Sequence, residues 1–361
     1  MNPEPQVRLG SSVTDPAAAP GVDNGSGGPG AGWLVRVRAR ARRPLELASR
    51  GIVGQVVALA LVFLIFTAGT GGAYLSVRNI LTILGLAGIP MIVCLGIHLV
   101  IVIGGMDLST EGVISLVAVI CGFLIKNSFT HYDIGFWAVP VAVAIGALAG
   151  LVSGVLSTAA RMPSFIATLG MWWVTQGLSV IAGRGNSVKM LDPRFQAITN
   201  GDTLGLPNTI LIALLLFAAL WVLQRRTRFG RYMYAMGGDE ALARQAGIKV
   251  SRVKVLVFTL TGAIYGFAAI LLASRLAATN PRIGGGQLFP AMTAVAVGGV
   301  SLSGGVGGAL NAVFGSLIVV ALNDGMVLMK ISPYVQNAVN GVVLILAVAL
   351  TIDRKKIGII K

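Results

Sequence analysis

The chain has 361 residues, of which 55% are apolar and only 11% are charged. Soluble globular domains carry charge on about a quarter of their residues, so this composition excludes an ordinary soluble enzyme and indicates a protein that crosses a membrane many times. The formal net charge of +15 does not indicate nucleic-acid binding, because the basic residues lie between apolar segments rather than on a soluble face.

The two ends of the chain are predicted to be basic cytoplasmic tails. Residues 1–32 are rich in Gly, Pro, Ala and Ser, with few large apolar side chains, which is typical of disorder. Five arginines between Arg36 and Arg43 then precede the first apolar segment, and such positive charge marks a cytoplasmic flank. We therefore divide the chain into a disordered tail at 1–50, a transmembrane domain at 51–353 and a short basic tail at 354–361.

Ten apolar segments approach the length of about 20 residues that a membrane crossing needs. They cover residues 52–71, 79–103, 108–125, 136–158, 164–183, 207–223, 255–273, 288–300, 305–328 and 334–352. Of the 28 Lys and Arg residues, 20 then fall on the side of the two tails and 8 on the other, so both ends face the cytoplasm. The predicted fold class is an all-α polytopic membrane protein with about ten transmembrane helices, N-in and C-in. The short segment at 288–300 is expected to be broken or re-entrant.

The longest stretch assigned to the outside lies at 184–206. It is rich in Asn, Asp, Gly and Pro, the residues that favour turns. We expect an external loop, which is either a plain connector or a docking surface for an external partner.

A cytoplasmic loop at 224–254 carries eight basic residues against two acidic ones. Within it Asp239 is a good N-cap, Glu240 suits the positive end of a helix, and Gly247 suits the left-handed position after the last turn. These residues predict one short helix over 240–246.

A helix of about seven residues is not stable alone, because the free energy gained by one or two turns does not offset the free-energy cost of nucleation. Something must therefore hold its apolar residues, which are Leu242, Ala243 and Ala246. The residues alone leave open whether this is a partner protein, the membrane surface or the rest of the chain.

Two glycine-rich stretches resemble each other and indicate an internal duplication. They are Gly104-Gly105-Met106-Asp107-Leu108-Ser109 and Gly298-Gly299-Val300-Ser301-Leu302-Ser303. Paired glycines interrupt the helices at corresponding places, which favours a translocation path. The alternative is that small residues let neighbouring helices approach closely.

Three acidic residues, Asp107, Glu111 and Asp324, lie at or near membrane depth and should face the protein interior. Asp107 either contacts a solute or caps the third segment by accepting from the N–H of Ser109 or Thr110. The candidates for the translocation path are Gly104, Gly105, Asp107, Ser109, Gly298, Gly299, Ser301, Ser303 and Asn323.

No residue pattern predicts a catalytic, cofactor or metal site. The chain lacks a Gly-x-x-x-x-Gly-Lys-Ser/Thr stretch, so we do not expect it to hydrolyse ATP. The two histidines and two cysteines form no cluster at metal-ligand spacing. The scattered polar residues give no connected proton relay.

Three stretches together, at 104–109, 230–248 and 294–305, resemble the permease subunits of bacterial ribose-type ATP-binding-cassette sugar importers. The resemblance runs from about residue 52 to the C-terminus. Three positions depart from the pattern that is common in this family: Met106 replaces Ile, and Thr110 and Glu111 stand where small neutral residues are usual. Asp239 replaces Asn, but both residues cap helices.

The resemblance implies a multi-pass protein of the bacterial inner membrane with broken helices and a cytoplasmic coupling helix. It implies a homodimer of permeases, a cytosolic ATP-binding subunit and a periplasmic or lipid-tethered sugar-binding protein. The coupling helix would seat in a groove of the ATP-binding subunit, and its residues are Gly237, Gly238, Asp239, Glu240, Leu242, Ala243, Ala246 and Gly247.

The function that the sequence predicts is import of a monosaccharide of the ribose, xylose or galactose class by alternating access. Import of another small solute, such as a nucleoside, an autoinducer or a branched-chain amino acid, is the alternative within the class. A proton-coupled secondary transporter is an alternative from a different class, as is a receptor that transports nothing.

Overall fold

The computed structural model describes residues 52–351, and the two predicted tails lie outside this range. Its helices are α1 Ile52–Gly69, α2 Val77–Val102, α3 Thr110–Leu124, α4 Ala138–Ala159, α5 Ser164–Gly183, α6 Pro193–Asn200, α7 Asn208–Arg226, α8 Arg228–Gly238, α9 Glu240–Gln245, α10 Val250–Leu276, α11 Leu288–Val297, α12 Ala309–Leu328 and α13 Pro333–Thr351. Its strands are two residues long, β1 Val188–Lys189, β2 Asp202–Thr203, β3 Leu206–Pro207 and β4 Ala278–Thr279, and they pair antiparallel as β1 with β4 and β2 with β3. The all-α polytopic prediction is confirmed.

Every predicted apolar segment contains one apolar helix. Seven of the helices in the described range are long and apolar enough to cross a membrane, namely α1, α2, α4, α5, α7, α10 and α12. Two are shorter, namely α3 and α11, and a third short apolar stretch covers Pro333–Ala349 of α13.

Helix α2 forms the centre of the molecule. It is surrounded by α7, α10, α11 and α12, and its side chains from Met91 to Val102 are fully buried. Next to it, α10 packs along α4 with the two backbones in direct contact. Gly146 and Gly150 of α4 lie against backbone atoms of Gly262, and a Cβ at any of the three would overlap the opposite helix. Small residues therefore allow this close packing.

The chain between β4 and α11 descends along α3. Thr279 packs against Gly122 near the end of α3, whereas Gly284 packs against Glu111 near its start and donates its N–H to Ser115 Oγ (3.0 Å). The 10 residues of α11 add only about 15 Å, half of a bilayer core. The predicted 288–300 span is therefore a half-helix that follows an irregular segment, as the prediction of a broken or re-entrant segment anticipates.

This irregular segment has its backbone groups satisfied by side chains. The Pro281 carbonyl accepts from Gln176 Nε2 (2.5 Å) and Ser179 Oγ (3.2 Å), both on α5. Irregular backbone at membrane depth is tolerated only where protein or a wet cavity supplies such partners.

The prediction of a single short helix in the 224–254 loop was wrong. A second helix, α8, precedes α9, and the Thr227 side chain caps it by accepting from Gly230 N–H (3.2 Å). A Thr directly before the first helical residue is a favoured N-cap, because its side chain can accept from an N–H of the first turn. The glycines at 230, 237 and 238 concealed it, since Gly is a poor helix former.

The external segment at 184–206 is more ordered than a loop. It contains β1, α6, β2 and one residue of β3, and α6 begins after Asp192 with a Pro in its first turn. Asp192 accepts from the Arg194 N–H (2.9 Å) and from the Arg194 guanidinium (2.9 and 3.1 Å). An N-cap Asp followed by Pro is a recognisable helix start, so the sequence contained the signal.

Candidate coupling and translocation site

The first glycine stretch ends α2 and re-enters the membrane. Gly104 has a φ of +76°, which turns the chain after Val102. Asp107 is buried, and its Oδ1 accepts from the Ser109 N–H (2.9 Å) and the Ser109 hydroxyl (2.6 Å). The predicted capping by Asp107 is confirmed.

Helix α3 begins close to the middle of the membrane. Met106 N–H donates to Ser164 Oγ (3.0 Å) at the first residue of α5, and Gly112 packs against Thr175, further along the same helix. At 1.5 Å per residue, Thr175 lies about 16 Å from the start of α5, half-way along its length of about 30 Å. The first turn of α3 therefore lies at mid-membrane depth.

The second glycine stretch separates α11 from α12. The Gly298 carbonyl accepts from Asn311 Nδ2 (2.7 Å) and from Gln55 Nε2. Ser301 N–H donates to the Val306 carbonyl (3.1 Å), which closes a turn between the stretch and α12. The chain's own side chains and backbone thus satisfy these groups freed by the break.

The start of the first stretch and the residues directly after the second meet each other and the end of α8. We call this contact the glycine junction, and its members are Val102, Gly104, Gly237, Gly304 and Gly305. Gly305 N–H donates to the Val102 carbonyl (2.8 Å), and Gly237 lies against both. A Cβ on Gly304 would lie 2.7 Å from the Gly104 nitrogen and 2.9 Å from the Gly237 oxygen, closer than side chains come. Only glycines permit three backbone segments to pack so tightly.

Helix α9 follows the junction directly and ends one residue before the predicted Ala246. Asp239 Oδ1 accepts from the N–H groups of Ala241 (2.9 Å) and Leu242 (3.0 Å), and Gly247 has a φ of +82°. The predicted N-cap and left-handed C-terminal glycine are confirmed.

The predicted single apolar face of α9 is not what the structure shows. Ala243 is buried against its own chain, whereas Leu242 is 60% exposed and Ala246 is exposed. An ion pair between Glu240 and Lys254 (2.7 Å) ties α9 to the start of α10. The chain itself holds one side of α9, and the other side is free to meet a partner.

Glu111 lies in the first turn of α3, at mid-membrane depth. Its Oε1 accepts from the N–H groups of Gly286 (2.9 Å) and Leu288 (3.2 Å), at the N-terminus of α11. Glu111 therefore anchors the irregular segment to α3.

Gln224, at the end of α7, was missed by the sequence analysis. Its Oε1 accepts from the Ala309 N–H (3.0 Å) at the start of α12, and its Nε2 lies 2.8 Å from His98 Nε2 on α2. Because the Gln224 amide nitrogen is a donor, His98 Nε2 is the acceptor. A lone Gln in a basic stretch gives no sequence signal for such a link.

The remaining predicted residues lie elsewhere. Asn323 Oδ1 accepts from Asn340 Nδ2 (2.9 Å) on α13, and Asp324 Oδ2 accepts from Asn79 Nδ2 (3.0 Å) on α2. Asn323 stands 14 residues beyond the start of α12, about 21 Å along that helix. The structure thus brings the two glycine stretches and Gly237 together, but not Asn323.

A family model described as "Branched-chain amino acid transport system / permease component" matches residues 79–348. The chain belongs to this family of permeases. It is a transporter subunit, and such permeases of bacterial importers are multi-pass proteins of the inner membrane. No solved structure matches the permease.

Curated relatives of the permease carry more specific names. The ribose import permease of Escherichia coli (strain K12) is 34% identical over 78% of this chain and 88% of the relative. The ribose import permease of Bacillus subtilis (strain 168) is 36% identical over 79% and 87%. The L-arabinose permease of Azospirillum brasilense is 33% identical over 83% and 89%.

A cavity of about 960 Å³ opens beside the first break of the permease. Its lining includes Gly104, Met106 and Leu302 from the two breaks, together with Glu240 and Arg244 of α9. The break and the coupling helix therefore border the same space on the cytoplasmic side.

Proposed function

We propose that this permease is the membrane subunit of an ATP-binding-cassette importer that moves a monosaccharide of the ribose, xylose, galactose or arabinose class into the cell. The relatives named for ribose and L-arabinose support the substrate class. The broad family description mentions branched-chain amino acids, but the relatives compared above are sugar permeases. Import of an amino acid, a nucleoside or an autoinducer is therefore not favoured.

The glycine junction carries the proposal. A cytosolic ATP-binding subunit that moves α9 would also move α8, because only Asp239 separates the two helices. The end of α8 lies directly on the backbone at Val102 and Gly305, next to both breaks. A displacement of α9 would thus be transmitted to both breaks through backbone contacts. Backbone atoms cannot rotate out of the way as flexible side chains can.

ATP hydrolysis is assigned to a separate subunit, and solute delivery to a periplasmic or lipid-tethered sugar-binding protein. The free side of α9, with Leu242 and Ala246, is the proposed seat of the ATP-binding subunit. We infer that two copies of the permease enclose the path, as the family resemblance implies.

The proposed path runs past the two breaks. Sugars need hydrogen-bonding partners beside apolar surface, and the breaks supply backbone groups and hydroxyls at a low density of charge. The residues assigned to it are Gly104, Gly105, Asp107, Ser109, Gly298, Gly299, Ser301 and Ser303. In this arrangement Asp107 shapes the path by capping α3.

The test is uptake by proteoliposomes that contain the permease, its ATP-binding subunit and its binding protein. We expect ATP-dependent accumulation of labelled ribose, xylose, galactose or arabinose, unchanged by a protonophore. Uptake that needs no ATP and stops with the protonophore would instead establish the proton-coupled alternative. ATP-dependent uptake of leucine but of no sugar would contradict the substrate class.

A further inference from the structure

Glu111 is a carboxylate at mid-membrane depth that is only half-buried. A charged group at the bilayer centre is costly, so it faces protein or water rather than lipid. Its chain neighbour Gly112 is buried against α5, and at 3.6 residues per turn Glu111 lies about 100° around α3 from that contact.

The surface next to Glu111 is also open. Gly285 and Gly286 are exposed beside it, and Phe289, one residue into α11, is 66% exposed. Within the described part of the chain, both hydrogen bonds that Glu111 accepts go to Oε1. Its Oε2 is therefore left to accept from a group outside the chain.

The surroundings of Glu111 favour water and hydroxyl groups over a basic partner. The loop from β4 to α11 presents backbone N–H groups to the carboxylate, and the ion pairs in the described range all lie elsewhere. A carboxylate with one committed oxygen and one open oxygen is a strong acceptor for the hydroxyls of a neutral solute.

We propose that Glu111 lines the translocation path at mid-membrane depth and accepts hydrogen bonds there from the hydroxyl groups of the passing sugar. This inference rests on the proposed function for the identity of the solute. The surface that contains Glu111, Gly285, Gly286 and Phe289 is then a water-accessible part of the path. Oε1 holds the irregular segment in place, and Oε2 contacts the solute.

The first arm of the test measures water access and needs no transport. Phe289→Cys, in the assembled importer in lipid, is treated with a small membrane-impermeant thiol reagent. The natural Cys94 and Cys121 are buried and give little background. Leu215→Cys on α7, where the leucine is 75% exposed in the chain against 66% for Phe289, is the control for a lipid-facing position. We expect Phe289→Cys to react and Leu215→Cys not to react.

The second arm measures ribose uptake by Glu111→Gln, which keeps an acceptor for Gly286 and Leu288 but loses the charge. We expect the KM for uptake to rise about tenfold, since a hydrogen bond to a charged group is lost, with assembly of the importer unchanged. An unchanged KM would overturn the contact with the sugar. Failure of Phe289→Cys to react would overturn the inference that the surface around Glu111 is accessible to water.

The two arms separate this inference from the proposed function. If the wild-type importer takes up no monosaccharide, the proposed function and the sugar contact both fall. Reaction of Phe289→Cys would then still place Glu111 on a water-filled path. If instead the importer transports ribose but Phe289→Cys does not react, only the proposed role of Glu111 is rejected.

Discussion

At the scale of single residues, Gln224 links three helices through one side chain. It joins α7 to α2 through His98 and to the start of α12 through Ala309. The Ala309 N–H is one of the first amides of α12, which have no partner within the helix. Gln224 therefore caps the helix that follows the second break.

Replacing Gln224 by Leu leaves His98 Nε2 and the Ala309 N–H buried without partners. We expect the free energy of unfolding to fall by about 2 kcal/mol or more. Thermal unfolding in detergent measures the loss. Gln245→Leu, at an exposed position on α9, is the control and should change stability by no more than about 0.5 kcal/mol. Equal unfolding temperatures for the two variants would contradict the role of Gln224.

Residues that act on neighbours in the chain were the ones that sequence reasoning could predict. The caps at Asp107 and Asp239 satisfy N–H groups two or three residues away. Gln224 accepts from an N–H that is 85 residues away, and Glu111 accepts from one that is 175 residues away. A single sequence, read without an alignment, does not indicate such distant pairs.

At the scale of elements, α6 depends on a carboxylate outside the membrane. The Arg194 guanidinium, through its hydrogen bonds, holds the pKa of Asp192 below its usual value. A lowered pKa in the folded state means that ionised Asp192 stabilises α6 above the pKa of about 3.9 that it has when unfolded. This stabilisation is lost as the pH falls through the lower value of the folded state.

Hydrogen exchange of the α6 amides, corrected for intrinsic rates, measures this effect between pH 6 and pH 3. We expect protection in the wild type to fall below about pH 4. Asp192→Asn should be less protected at pH 6 and less sensitive to acid. Asp202→Asn, an exposed position in the same segment, should behave as the wild type does. Identical profiles for Asp192→Asn and the wild type would contradict the assignment.

Elements were predictable where one physical signal dominates. Long apolar runs gave the membrane helices, because burial in lipid requires continuous apolar length. Helix α8 and the irregular segment before α11 were missed because tertiary contacts stabilise them. Glycines at Gly237 and Gly284 weaken local structure but permit the close packing that holds these elements in place.

At the scale of the whole molecule, the glycine junction brings a cytoplasmic helix against the membrane-embedded breaks. The glycine junction places the end of α8 against both breaks, and α9 follows within one residue. The likeness of the two glycine stretches was visible in the sequence. Their contact with each other and with Gly237 was not, because the three segments are far apart in the chain.

We propose that the free side of α9 receives the ATP-binding subunit and that displacement of α9 moves both breaks. The most direct measurement is co-purification of that subunit with Leu242→Arg plus Ala246→Asp, followed by ribose uptake. Both residues are exposed, so the permease should still fold. Leu204→Arg, on a leucine that is 93% exposed in the external segment, is the matched control.

We expect the double variant to lose the ATP-binding subunit and ATP-dependent uptake, while the Leu204→Arg control keeps both. If the double variant still binds the subunit and still imports ribose, α9 is a surface connector, and the route through the glycine junction is contradicted.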